Sequence, residues 1–471
     1  MAKRRRQTTK VSKSLIECEI LRLGHDGRGI AKHEGKTQFI EGALPTEKVK
    51  ARYITQRSKF DELNTVEILN ASPERVTPPC QHADVCGGCS LQYMSVAAQI
   101  SYKEGVLKEQ FKHFGNLTSS EWFEPIVGES EGYRTKARLG VVYVGARDEV
   151  IIGFREKRNK RITNIEQCVV LDPRAGNSLS GFRELIASLA IRQHIPQIEI
   201  AMGDDSAALV MRHMVAFTED DLVKLRLFGE QFNFEIYLQP GDASTVHKIW
   251  PENTIDRLYF TLSLPELSPP KELSSKNGEV KQRELNIAFH PTDFTQVNSD
   301  VNRKMIIRAL EWLDIQSTDR VLDLFCGLGN FTIPMACLAK EVVGIEGSDT
   351  MVARGRENAE LNDLNNVSFA VANLQADFTK AAWVKKGFDK ILIDPPRSGA
   401  LDIVNHISKF KAQRIVYVSC NPATLARDAG ILLDKGYKLV KAGVMDMFPH
   451  TSHVESVALF EKEKKKRGAN G

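Results

Sequence analysis

Nowhere does the chain carry an apolar run near the ~18 residues that a membrane-spanning helix needs. Met1-Ala2-Lys3-Arg4-Arg5-Arg6 leads into polar residues instead of a signal-peptide core. Both absences point to work in the cytosol, with no membrane partner. A strong charge imbalance is missing too, since 64 Lys+Arg stand against 60 Asp+Glu. Attraction for nucleic acid would therefore have to come from local patches such as Lys3 to Arg6 and Lys464 to Arg467, although solvated tails have the same composition. No internal repeat is present, and no flavin or nicotinamide motif, which argues against a redox enzyme. Only eight cysteines occur in 471 residues. In a reducing compartment they are read as free thiols, metal ligands or catalytic groups.

What is there divides into three regions, as a length prior of about 150 residues per domain suggests. Residues 8–70 hold short β-type runs (Leu15 to Leu21, Thr37 to Ile40, Glu47 to Tyr53, Leu63 to Leu69) around Gly24-His25-Asp26-Gly27-Arg28-Gly29. That pattern predicts a small barrel whose surface carries Lys36, Lys48, Lys50, Arg52, Arg57 and Lys59, either for nucleic acid or for solubility. A middle region, 75–290, opens at Pro78-Pro79-Cys80 and contains the surface loop Pro265 to Glu284. In 291–463 strands alternate with helices: Arg320 to Phe325, Val342 to Glu346, Val367 to Ala372, Lys390 to Ile393, Ile415 to Ser419 and Val454 to Phe460. Such alternation predicts a doubly wound parallel sheet.

In an open sheet of that kind, chemistry collects at the carboxyl ends of neighbouring strands. Two of the predicted strands end in Asp394-Pro395-Pro396-Arg397 and in Ser419-Cys420-Asn421-Pro422, which brings a carboxylate and a thiol to one crevice. The first strand runs into Asp323-Leu324-Phe325-Cys326-Gly327-Leu328-Gly329-Asn330, and Glu346 ends the next. Glycines admit a ligand to the backbone, and the acid can accept from ribose hydroxyls. With no third glycine, the turn suits S-adenosylmethionine better than a dinucleotide pyrophosphate. Cys80, Cys86, Cys89 and Cys168 form a C-x5-C-G-G-C set with a distant fourth member, a donor set open to zinc or to an iron–sulfur cluster. Cys18 and Cys337 lie in apolar-periodic contexts and are expected in the core.

Taken together these residues resemble the bacterial RNA uracil-5-methyltransferases, specifically the 23S rRNA enzymes with a TRAM barrel and a [4Fe-4S] cluster. The likeness spans nearly the whole chain. It rests on the cysteine set, on Phe294-Thr295-Gln296-Val297-Asn298, on the two strand-end motifs, and on Pro449-His450-Thr451-Ser452-His453-Val454-Glu455. It implies a multidomain α/β protein with an N-terminal TRAM/OB-like β-barrel, a central iron–sulfur α+β domain and a C-terminal Rossmann-like class I methyltransferase domain. It implies a [4Fe-4S] cluster on Cys80, Cys86, Cys89 and Cys168, and S-adenosylmethionine against Gln296, Phe325, Asn330, Glu346, Asn373 and Asp394. The nucleophile falls on Cys420 and the proton-abstracting base on Glu455. The implied substrate is 23S rRNA, at the uridine modified by barrel-containing relatives, acted on by a monomer with no DNA partner. Another rRNA uridine or a tRNA would use the same motifs, and a non-catalytic ribosome-assembly factor is the rival from outside enzymology.

Overall fold

The computed structural model describes residues 12–463, apart from 116, 118, 120, 265–282 and 377. Both basic tails and nearly all of the Pro265 to Glu284 stretch lie outside the described residues. Contacts divide the chain into two compact units. The first comprises Met1–Val106, Glu156–Asn159 and Phe448–His453; the second comprises Leu107–Arg155, Lys160–Met447 and Val454–Gly471. The three regions expected from sequence do not map one to one onto them, because the boundaries near 70–75 and 290 fall inside units.

The first unit contains β1 (Leu15–Glu19), β2 (Arg22–Leu23), β3 (Gly29–His33), β4 (Lys36–Glu41), β5 (Lys48–Gln56) and β6 (Phe60–Asn70) in the order β1-β5-β6-β4-β3-β2. Alternation places Cys18, Ile20, Ala31, Ile40, Val49, Ala51 and Leu63 in one core, so Cys18 is a packing residue as expected. β1 and β2 are successive parts of one stretch, Leu15 to Leu23, whose first part pairs with β5 and whose second pairs with β3. Leu21 N donates to the Ile30 carbonyl at 2.9 Å, so the same segment bonds both ends of the ladder. Four of the basic residues expected on its surface already face carboxylates: Lys36–Asp61 at 2.7 Å, Lys48–Glu17 at 3.1 Å, Lys50–Glu67 at 2.8 Å and Arg57–Glu62 at 4.0 Å. The exposed pairs among them contribute only ~0–1 kcal/mol and exchange readily, whereas Asp61 is buried.

The second unit opens with β7 (Glu121–Trp122). It then builds a six-stranded sheet from β8 (Lys136–Val144), β9 (Glu149–Gly153), β10 (Gln197–Met202), β11 (Ala207–Arg212), β12 (Glu235–Gln239) and β13 (His247–Trp250), ordered β13-β12-β11-β10-β8-β9. A two-stranded ribbon, β14 (Leu258–Leu264) with β15 (Arg283–Phe289), follows. The largest sheet contains β16 (Arg320–Leu324), β17 (Glu341–Glu346), β18 (Val367–Val371), β19 (Lys390–Ile393), β20 (Arg414–Ser419), β21 (Tyr437–Met445) and β22 (Glu455–Lys462). Its order is β18-β17-β16-β19-β20-β22-β21-β7.

From β18 to β20 the neighbours are parallel, and the inner strands β17, β19 and β20 carry near-continuous apolar runs because helices cover both faces. Ile391, Leu392 and Ile393 are wholly buried, and truncating one such side chain to Ala costs about 2–5 kcal/mol. The fully parallel sheet expected from sequence is corrected at its far side, since β22 runs antiparallel to both β20 and β21. Residues 446–454, which join β21 to β22, are too few for the crossover of about a dozen or more that a parallel pair needs. The strand β21 was not anticipated at all. Cys337, expected in the core, is only half-buried.

Candidate active site

The strand order reverses between β16 and β19, because β16 pairs with β17 on one side and with β19 on the other. At such a switch point the loops leave in opposite directions and open a crevice. Here the crevice is a cavity of about 440 Å³, of the size that small cofactors occupy. Its wall includes Phe325, Gly327 and Asn330 from the turn after β16, Asp394 after β19, and Phe294, Thr295 and Gln296 from the loop after β15. The turn requires left-handed backbone at Gly327 (φ 53°) and Gly329 (φ 95°), and even Phe325 adopts φ 65°. A Cβ at Gly327 would meet nothing within 4 Å, so the backbone faces open space. Asn330 is held in place by a reciprocal amide pair with Asn302, at 2.9 and 3.1 Å.

Two carboxyls of raised pKa stand here, Asp394 on the cavity wall and Asp323 buried behind it, while Arg174 and Arg303 also line the wall. Asp323 is fully buried, takes Thr332 Oγ1 at 2.5 Å, and leaves Oδ1 without a hydrogen-bond partner. Burial, with smaller additions from Asp394 and Glu346, pushes it up to about 8. Burial likewise pushes Asp394 up to about 7. Carboxyls held above their ordinary range are relieved when a positive ligand arrives. Glu346 stands behind the turn, accepting the amides of Gly327 (3.1 Å), Gly347 (2.6 Å) and Ser348 (3.1 Å). Asn373 does not reach the cavity wall among the described residues; its Oδ1 accepts the Gln375 amide at 2.9 Å.

The thiol and the second carboxylate lie one strand further along. In the β20–β22 ladder Ser419 is opposite Ser456. One step outward brings Cys420 beside Glu455, as cross-strand neighbours are. Only an antiparallel strand begins at the edge where the parallel strands end, so the direction of β22 creates this pairing. The turn around Cys420 is tied on both flanks. The Asn421 amide donates to Ser419 Oγ at 3.1 Å, and Asn421 Oδ1 caps the helix Pro422–Asp434 through Ala423 N at 3.1 Å. Asn421 Nδ2 donates to the Arg397 carbonyl at 3.0 Å, joining the two motif loops. Burial first, then Glu455 and Asp394, push the Cys420 thiol up to about 11, against a smaller downward pull from Arg397. Neither Cys420 nor Glu455 is on the cavity wall; Asp394 is the group that serves both places.

In the first unit, the Cys80 thiol accepts the His82 amide at 3.4 Å and the Cys86 thiol accepts the Gly88 amide at 3.4 Å. Amide donors aimed at sulfur favour the thiolate that metals and clusters require, and at Cys86 burial outweighs that effect and pushes the thiol up. Lys157 adds its positive charge near Cys86 and Cys89, and Cys168 belongs to the second unit. All four cysteines are free thiols. Among the described residues, no three His, Cys, Asp or Glu side chains are gathered as a single-ion site.

Residues 270–463 match the family profile described as tRNA (Uracil-5-)-methyltransferase. Over 99% of this chain and 100% of the relative, the sequence is 51% identical to a 23S rRNA (uracil(1939)-C(5))-methyltransferase of Alcanivorax borkumensis. The chain belongs to the 23S rRNA (uracil-C5)-methyltransferase family. A second member, from Hahella chejuensis, is 50% identical over 97% of this chain and 99% of its own. Among solved structures, the tRNA (uracil-54, C5)-methyltransferase of Pyrococcus abyssi, in complex with S-adenosyl-L-homocysteine, superposes with a TM-score of 0.70. It covers 94% of this chain and 100% of that one at 22% identity, a likeness of fold. Within the uracil-C5-methyltransferase family the motif residues were visible in advance, whereas Asn302 and the capping role of Asn421 were not. Asn302 sits mid-helix, in Ser299–Leu313, and nothing local marks a partner 28 residues away.

Proposed function

We propose that this protein methylates C5 of uracil 1939 in 23S rRNA, with S-adenosylmethionine as donor, as its full-length relatives are named to do. The pairing of Cys420 with Glu455 at the strand ends is the observation that carries the chemistry. Uracil C5 is too weak a nucleophile to take a methyl group directly. Attack of the Cys420 thiolate on C6 forms an Sγ–C6 bond and an enolate whose C5 is nucleophilic. Bound in the cavity, the donor supplies an electrophilic methyl group on a sulfonium. C5 accepts that methyl group, Glu455 removes the C5 proton, and the electron pair restores the C5–C6 double bond as the thiolate leaves. A target base paired in a helix cannot meet the thiol, so the uridine must be unstacked or flipped.

Gln296, Phe325, Asn330 and Asp394 would contact the donor directly, with Glu346 and Asn373 completing the site from behind the turn and after β18. The open backbone at Gly327 and the Asp394 carboxyl on the cavity wall fit such a ligand. The amide-bonded thiols fit a [4Fe-4S] cluster on Cys80, Cys86, Cys89 and Cys168. A cluster there would supply a rigid thiolate node, since methyl transfer moves no net electrons. The N-terminal sheet would be a TRAM-type barrel that holds RNA together with the region after it. The protein would act as a monomer on its rRNA in the cytosol; separately, no described helix is long and apolar enough to cross a membrane. Incubating anaerobically purified protein with unmodified 23S rRNA, tRNA and methyl-labelled donor, and mapping 5-methyluridine by mass spectrometry, tests the assignment. Label at one 23S uridine supports it; label in tRNA overturns the substrate, and no label overturns the activity.

A further inference from the structure

A buried ion pair stands behind the loop that walls the cavity. Asp293, 6% exposed, immediately precedes Phe294, and its Oδ2 accepts from Arg354 Nε at 2.9 Å and from the His290 amide at 2.7 Å. Arg354, 7% exposed on the helix Asp349–Leu361, also bonds the Glu357 carboxylate. Lys136 donates to the Asp293 carbonyl. Further along the loop, Thr135 holds the Val297 carbonyl through its amide (2.8 Å) and its hydroxyl (3.0 Å). Between these two anchors only Phe294, Thr295 and Gln296 remain, and all three line the cavity, Phe294 being 76% exposed.

Burying two charges costs solvation that their attraction repays only in part, so a pair of this kind contributes little net stability and is better suited to fixing a geometry. Arg354 does not itself reach the cavity wall. What it fixes is the Phe294–Gln296 part of that wall, which belongs to neither β16 nor β19. We propose that Arg354, acting through Asp293, is a positioning residue for methyl-donor binding: it holds Phe294–Gln296 against the cavity without touching the donor. The inference rests on the reading of this cavity as the donor site.

Calorimetry with S-adenosylhomocysteine and steady-state kinetics on 23S rRNA, both with the full-length protein, test it. Arg354→Lys keeps the charge but loses the fork that spans Asp293 and Glu357. It should weaken S-adenosylhomocysteine about tenfold, as expected for one lost charged hydrogen bond. The KM for the donor should rise in step, with kcat at saturating donor within about twofold and rRNA affinity unchanged. The neutral pair Asp293→Asn with Arg354→Gln should bind the ligand better than Asp293→Asn alone, because two amides can restore a hydrogen bond between loop and helix. Unchanged ligand affinity in Arg354→Lys, or a fall in kcat with KM unmoved, overturns the inference, as does an equal loss of rRNA affinity. Should that variant fail to fold, Lys136→Met must give the same split between KM and kcat. Wild-type protein that binds no S-adenosylhomocysteine would instead sink the reading of the cavity, a separate and distinguishable failure.

Discussion

Cys420 rests as a neutral thiol. A pKa near 11 instead of 9.0 leaves roughly a hundredfold less thiolate at neutral pH. Iodoacetamide labelling of Cys420 in the donor-free enzyme at pH 7.5, followed by peptide mass spectrometry, should therefore run about a hundredfold slower than for an unperturbed cysteine. The rate should climb with pH toward 11. Glu455→Gln should speed it at pH 7.5, since that carboxylate is the largest contributor after burial. In turnover, Cys420→Ala should abolish methylation while S-adenosylhomocysteine binding stays near normal; retained methylation would remove the covalent route. Glu455→Gln should let the methylated RNA adduct accumulate as a shifted band on a denaturing gel. The motifs that hold both residues were visible in the sequence. The meeting of Asp394 and Cys420 was expected from the two strand ends; the approach of Glu455 was not, because it depends on β22 running antiparallel to β20.

The loop after β19 shows how much depends on single backbone positions in these elements. Gly399 has φ 78°, and a Cβ there would lie 2.6 Å from Arg427 Nη2 and 2.7 Å from Asp428 Oδ2. Asp428, fully buried, accepts from the Tyr417 hydroxyl (2.6 Å) and the Ala400 amide (2.7 Å), tying the loop to the helix Pro422–Asp434. Gly399→Ala should cost about 2 kcal/mol or more in denaturant unfolding and lower methylation as the Asp394–Arg397 segment shifts. The parallel half of the sheet was readable because its strands are unbroken apolar runs. Two features were not. In β21, Lys438 and Lys441 flank a register shift between Leu439 and Lys441 that spoils the alternation. The direction of β22 is invisible to any alternation pattern, because period two is the same whichever way a strand runs.

Across the whole molecule, the raised carboxyls give stability a definite pH dependence. Asp323 near 8 and Asp394 near 7, against 3.8 for an ordinary aspartate, mean that the folded donor-free protein keeps protons that the unfolded chain has released. Below about pH 4 both states are protonated and there is no penalty. From there to about pH 8 folding is progressively disfavoured. The Tm of donor-free protein should thus fall between pH 5 and 8 by way of these groups, Asp323→Asn should flatten the slope, and S-adenosylhomocysteine should leave it largely in place, lacking the sulfonium charge that would offset the carboxylates. A flat wild-type profile would count against the buried charges. The cysteine set makes its own prediction: anaerobic protein should carry iron and sulfide, Cys89→Ser should lose both, and chemical reduction of the intact cluster should leave turnover unchanged.

The first unit is assembled from three separate stretches of chain, and its smallest, Phe448–His453, comes from between β21 and β22. The His450 carbonyl there accepts the amides of Ser90 and Leu91, each at 2.9 Å, and Gln99 Oε1 accepts the His450 amide at 2.8 Å. Residues translated near the end thus complete a body begun at the start. No single cut of the chain separates the two units, and a fragment ending before Phe448 would lack the partner that Ser90, Leu91 and Gln99 bond. Nascent protein can finish its first unit only after nearly the whole polypeptide has left the ribosome.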